Sequence, residues 1–183
     1  MTPTKTYVEP GWKRPPSKDA ILDEETYRKV LPIWVKACVD VILYLRAADA
    51  SWRMVIAKRK IQPMMDWWIF GGRIFATDES LQHALVRKLK EEIGLADINP
   101  DRIPNEPLRI QMYKCAPDNS VILAPAFCLE ITPAEYQQMQ ANLADSPEYS
   151  DLNALAPWAI AGNNGFHEAL RDYASSLARH LGI

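Results

Sequence analysis

The chain has 183 residues, 48% of them apolar, with a formal net charge of −2 and an isoelectric point near 5.9. That apolar share predicts one domain with extensions, and the charge balance gives no footprint for duplex nucleic acid or an anionic membrane surface. No apolar run approaches the roughly 18 to 20 residues a membrane span needs and the polar N-terminus has no signal-peptide core, so the expected setting is the cytoplasm.

Residues 1–17 carry Pro3, Pro10, Pro15 and Pro16 among polar groups and predict an arm. Residues 18–31 have helical character through Ile21, Leu22, Tyr27, Val30 and Leu31, ending before Pro32. The expected division is therefore an arm and helix over 1–31 and a domain over 32–183. Two β-rich runs, 33–45 and 52–57, joined by a polar turn, predict a hairpin. The basic cluster Lys58, Arg59, Lys60 follows. It is either a solvated rim or a place where the forked guanidinium of Arg59 meets a diphosphate. Trp67 and Trp68 would face opposite sides of a strand, one in the core and the other packing under a helix or stacking on a nucleobase.

The glycine pair Gly71 and Gly72 ends that strand, because glycine enters positive φ without steric cost. Asp78 is placed to cap a helix whose apolar positions Leu81, Ala84, Leu85, Leu89 and Ile93 recur at three and four, with Gly94 as the stop. At about 100° per residue, Glu92 falls in the arc of Leu81, Leu85 and Leu89, Lys88 lies one turn before it and Glu91 at its edge. Burying a bare carboxylate costs several kcal/mol, so Glu92 needs a cation: a metal ion or Lys88 itself. Two adjacent carboxylates beside a glycine loop supply the oxygen ligands that Mg²⁺ or Mn²⁺ prefers.

Beyond this helix, 96–106 is a connector, 108–115 and 121–131 are strand runs joined by a turn at 116–120, and Thr132 to Glu135 is a capping box opening a helix through about Leu143. Residues 145–155 have no strong periodicity but carry Glu148 and Asp151, and a final amphipathic helix follows Asn163-Asn164-Gly165. Cys38, Cys115 and Cys128, odd in number and set in apolar runs, read as buried thiols.

Glu79, Arg87, Leu89, Glu91, Glu92, Gly94 and Leu95 together resemble the signature of the Nudix hydrolases in spacing and residue type. Two departures stand out: six residues separate Gly72 from Glu79 where the family has five, and Lys88 stands where the family has a glutamate that commonly binds metal or acts as base. The resemblance implies an α+β fold, a mixed sheet sandwiched between helices. Within the superfamily the chain looks most like the GDP-mannose mannosyl hydrolases, from Glu25 and Tyr27 to Asp40 and from Trp67 to Arg73, a branch that has also lost that glutamate. It implies Mg²⁺ (or Mn²⁺) at the Gly71 carbonyl, Glu91, Glu92 and Glu79, with Glu79 also supporting the loop and pairing with Arg87. It places Arg59, Arg73 and Arg87 near the diphosphate of a nucleoside diphosphate linked to another group, such as a nucleotide sugar, beside Trp67 or Trp68, and makes Glu148 the candidate base. It also implies a homodimer through the N-terminal segment. The expected activity is hydrolysis of that compound; the alternative is a Nudix-like module that binds a nucleotide or a partner without turnover, because Lys88 can take the metal's place electrostatically.

Overall fold

The computed structural model describes Glu25, residues 35–61, 65–115 and 120–183. The arm and helix expected over 1–31, and with them the expected dimer contact, lie outside the described residues, save Glu25, which is helical.

The expected hairpin is present. β1 (Val35–Arg46) and β2 (Trp52–Arg59) pair antiparallel, with Arg46 opposite Trp52. β3 (Trp67–Trp68) pairs with β2, and β4 (Phe70–Arg73) with β1, setting Gly71 opposite Asp40 and Gly72 opposite Val39. β5 (Arg109–Cys115) and β6 (Ser120–Glu130) form a second antiparallel pair, and β6 joins β1 in parallel. The sheet is thus mixed, as expected. A seventh strand, β7 (Tyr149–Leu155), adds to β2 through a register shift between Lys58 and Arg59. β7 was not expected, because the residues of 149–155 do not alternate between apolar and polar with a period of two.

Helices cover both faces. α1 (Leu81–Ile93) packs Ala84, Leu85, Leu89 and Ile93 on Val39, Val41, Leu43, Phe70 and Phe127, and Met139 of α2 (Pro133–Asn142) joins that core. On the other side, Ile160 of the short α3 (Pro157–Ala161) and Leu170, Tyr173, Ala174 and Leu177 of α4 (Glu168–Leu181) pack on Ile42, Met54, Ile56 and Trp68. β1 feeds alternate side chains to the two cores, which is the pleat at work. Cys38 and Cys128 are buried, as expected. No described helix is long and apolar enough to cross a membrane.

The helix caps refine two expectations. Thr132 and Glu135 form the expected reciprocal capping box on α2, which ends at Asn142 before a 3₁₀ turn at Leu143–Asp145. α1, in contrast, is capped by Ser80, whose hydroxyl accepts from the His83 amide at 3.2 Å, and not by Asp78. Gly94 closes α1 in the left-handed conformation, its amide bonded to the Leu89 and Lys90 carbonyls.

Candidate functional site

The loop between β4 and α1 is stapled by Arg87. Its Nε donates to Asp78 Oδ1 and its Nη2 to Asp78 Oδ2, both at 2.8 Å, and Nη2 also donates to the Arg73 carbonyl at 3.0 Å. The guanidinium lies over the Phe75 ring, 4.2 Å from its centroid. Burial pushes the Asp78 carboxyl up, but Arg87 and the Phe75 amide outweigh it and hold the group below the usual range. The acid that pairs with Arg87 is therefore Asp78, only 6% exposed, and not Glu79. Since five residues separate Gly72 from Asp78, the loop has no inserted residue; the acid has moved one place forward.

Glu79 does not join the proposed metal set. It lies before the first turn of α1, 67% exposed and 3.9 Å from His83, while Glu92 is in the last turn, about 20 Å away along the helix. The expectation that Glu79 is a ligand is corrected by helix length alone.

At the C-terminal end of α1, Glu92 is 3% exposed, and Lys88 reaches along the helix to place Nζ 2.6 Å from Glu92 Oε1 and 3.8 Å from Glu91 Oε2. Oε2 accepts from the Tyr149 hydroxyl at 2.9 Å. The lysine lies flat against β4: a Cβ built on Gly72 would sit 2.6 Å from Lys88 Cε and 3.3 Å from Nζ. Glycine at 72 is what admits the ammonium to this space. Burial raises the Glu92 pKa, with the Glu148 charge adding to it and Lys88 and Tyr149 opposing it. Tyr149 is held in place from below, because the buried Ser146 hydroxyl accepts from the amides of Glu148 and Tyr149 and donates to the Glu92 carbonyl at 3.2 Å.

Arg59 approaches the same cluster from β2. The register shift at Lys58/Arg59 re-aims it, and it forms an ion pair with Glu148. Its Nε is buried with no hydrogen-bond partner among the described residues, and Lys60 Nζ ties the neighbouring loop by donating to the Ser146 carbonyl at 2.7 Å. The structure thus brings Arg59, Lys88, Glu92, Glu148 and Gly72 together, with Arg87 and the 41% exposed Glu91 at the rim, 3.3 Å apart, whereas Gly71 lies against Asp40. Arg73 is at the exposed end of β4.

Trp67 and Trp68 are elsewhere. Both pack on the α4 face, against the core opposite Glu92, and the Trp68 ring meets Tyr113, His167 and Tyr173 edge-on. They serve packing, because a strand of two residues does not hold the expected opposite facing. Lys88 was legible from helical spacing, and Glu148 from its acidic loop. Asp78, Ser146 and Tyr149 were missed; the five-residue spacing from Gly72 was the available sign for Asp78.

A divalent ion does not fit this arrangement. The Lys88 ammonium lies between Gly72 and Glu92, Tyr149 takes the other Glu92 oxygen and Arg59 takes Glu148. Among the described residues, no three His, Cys, Asp or Glu are grouped so as to hold a metal.

No family model and no curated protein matches the sequence. Solved structures do match in fold. The NUDIX domain of Shewanella oneidensis NrtR complexed with ADP ribose is 17% identical, with a TM-score of 0.60 over 87% of this chain and 99% of that one. NrtR complexed with a 27mer DNA is 19% identical at a TM-score of 0.58. This chain covers 79% of itself in that match but only 61% of the NrtR chain. C. elegans Ap4A hydrolase is 13% identical at a TM-score of 0.54, over 81% of this chain and 99% of that one. The fold of this chain is the mixed-sheet α+β fold those proteins share.

Proposed function

We propose that the chain recognises a nucleoside diphosphate linked to a second group, at the cluster between β2, β4 and the end of α1. The observation that carries this is Arg59: a half-buried guanidinium braced on one side by Glu148, with a buried Nε that has no hydrogen-bond partner among the described residues. A buried donor left unpaired costs about 1–3 kcal/mol, and the forked phosphate oxygens of a diphosphate satisfy it. Lys88 supplies the second fixed positive charge of the cluster. ADP-ribose, the ligand of the NrtR domain, and nucleotide sugars of the GDP-mannose kind share the required chemistry.

A screen by thermal shift and calorimetry tests this, using ADP-ribose, GDP-mannose and other nucleotide sugars, dinucleoside polyphosphates and nucleoside triphosphates. Compounds with an internal diphosphate are expected to raise Tm, since ligand binding to the folded state stabilises it by mass action. Arg59→Ala is expected to weaken them at least about tenfold. If no diphosphate shifts Tm, the reading is wrong.

The second reading is a Mg²⁺-dependent hydrolase of the same compounds, with Glu91, Glu92 and Arg87 in the signature and Glu148 as base. It is favoured by one observation, the proximity of Glu148 to Glu92, close enough for one charge to raise the pKa of the other. Release of phosphate, nucleotide or sugar from any compound in the screen establishes it, and absence of product from all of them refutes it. Either way we place the protein in the cytoplasm, and as a homodimer through its N-terminal segment, which dilution-dependent light scattering checks.

A further inference from the structure

We infer that the Lys88 side chain is a tethered replacement for the divalent ion, so that this site binds a diphosphate without metal. This deepens the proposed recognition of a nucleoside diphosphate and rests on that reading. Three features of the structure agree. The ammonium is within ion-pair distance of both signature carboxylates, 2.6 Å from Glu92 Oε1 and 3.8 Å from Glu91 Oε2. Its stem runs across Gly72, the one kind of residue that leaves room for it, since an added Cβ would overlap Cε. Its side chain is also partly open, 18% of it exposed, and in this reading a ligand phosphate approaches from that side while Glu92 holds the ammonium.

Charge accounts for the rest. Around the cluster, Arg59, Arg87 and Lys88 face Glu148, Asp78, Glu91 and Glu92. The protein thus already neutralises Glu92 with a covalently attached cation that is present at any metal concentration. A divalent ion would have to displace that ammonium from the space between Gly72 and Glu92 that it already fills. A lysine holds phosphate as a compact point charge with three rotatable donors, which suits a diphosphate whose position varies with the group attached to it.

The test uses the full chain and two probes, inorganic pyrophosphate and ADP-ribose. In wild type, Tm is expected to be the same in EDTA and in millimolar Mg²⁺ or Mn²⁺, and the probe Kd to change less than about twofold between them. In Lys88→Glu, and in Lys88→Gln should the first fail to fold, Tm is expected to rise with the logarithm of Mg²⁺ concentration. Probe binding in that variant should become metal-dependent by at least about tenfold. A wild-type Tm that climbs with Mg²⁺, or probe binding that collapses in EDTA, overturns the inference, as does a variant that gains no metal response. If neither probe binds in any condition, the diphosphate reading fails; the Tm response of the variants then still decides whether Lys88 stands where an ion would.

Discussion

The sheet carries a buried carboxylate on each face, and the two are held differently. On the α1 face, Glu92 has a lysine at 2.6 Å and a tyrosine hydroxyl at 2.9 Å. On the α4 face, Asp40 accepts one hydrogen bond among the described contacts: Tyr173 donates to Oδ2 at 3.1 Å, and Tyr173 in turn contacts the Tyr113 hydroxyl, which reaches Gln111. Burial pushes the Asp40 pKa up to about 7, with the Tyr173 hydrogen bond opposing it and the Glu92 charge, felt through the sheet, adding to it. Burial raises both acids, but the groups that oppose the rise differ: the Tyr173 hydrogen bond first at Asp40, the Lys88 charge first at Glu92. The α1 face therefore holds a fixed cation against its acid, which is the feature the proposed binding site uses.

The comparison breaks first at Lys88. Lys88→Met leaves Glu92 buried beside Tyr149 with no cation, and removing one partner of a buried ion pair costs about 3–5 kcal/mol. Part of Lys88 is solvent-exposed, so we expect the low end, about 3 kcal/mol, read from urea midpoints at pH 7. Adding Glu92→Gln to Lys88→Met should recover most of that loss. A single variant as stable as wild type would show that Glu92 has no need of the ammonium.

The second largest effect is expected at Asp40, and its sign follows from the direction of the shift. Between the ordinary value of 3.8 and about 7, the folded state retains a proton that the unfolded chain has released. Stability therefore falls as pH rises through that window, by about 1.4 kcal/mol per unit for one proton, and the loss is complete above the folded pKa. Asp40→Asn keeps an acceptor for Tyr173 without the charge. It should flatten the profile and gain roughly 2–4 kcal/mol at pH 8 relative to wild type, with little difference at pH 4. Denaturation midpoints at the two pH values measure it, and a variant no more stable at pH 8 than at pH 4 relative to wild type shows that Asp40 is ionised in the fold.

These two acids also mark how far the sequence could be read. Glu92 was legible because a helix converts spacing into direction, so a carboxylate inside an apolar arc announces both its burial and its need for Lys88. The strands 35–46, 52–59, 109–115 and 120–130 were legible from β-branched runs separated by polar turns. Asp40 sits in such a run, opposite Gly71, yet nothing local says that Tyr173, 133 residues away, will meet it. Tyr149 and Ser146 were hidden for the same reason: they reach Glu92 only because β7 adds to β2, a pairing set by tertiary packing and not by a period in 145–155. The two tryptophans were misplaced by trusting strand alternation in an element of two residues.

A smaller effect separates Asp78 from Glu79. Asp78→Ala strips a nearly buried partner from Arg87 and releases the loop that follows β4, so a loss of about 2 kcal/mol is expected. Glu79→Ala, at an exposed site, should stay within about 0.5 kcal/mol. Thermal midpoints of the two variants measured side by side decide which acid the loop depends on. Equal losses would return Glu79 to the role its spacing suggests.

The finest test compares the two tyrosines. Tyr149→Phe removes a donor from a carboxylate that still has Lys88, so it should cost about 1 kcal/mol, and since Lys88 opposes the rise in the Glu92 pKa more than Tyr149 does, the pH profile should change the less. Tyr173→Phe removes the one hydroxyl hydrogen-bonded to Asp40 among the described contacts. That hydrogen bond opposes the rise in the Asp40 pKa, so its loss moves the Asp40 titration further up and extends the falling limb of stability to higher pH. The two variants are expected to be similar in stability at pH 5, where Asp40 carries its proton in both. They should diverge as pH rises toward 8, because Tyr173 is the main group opposing the rise at Asp40, whereas at Glu92 that group is Lys88, which both variants keep. If Tyr149→Phe shows the larger pH dependence, Tyr149 and not Lys88 is the main counterweight to burial at Glu92.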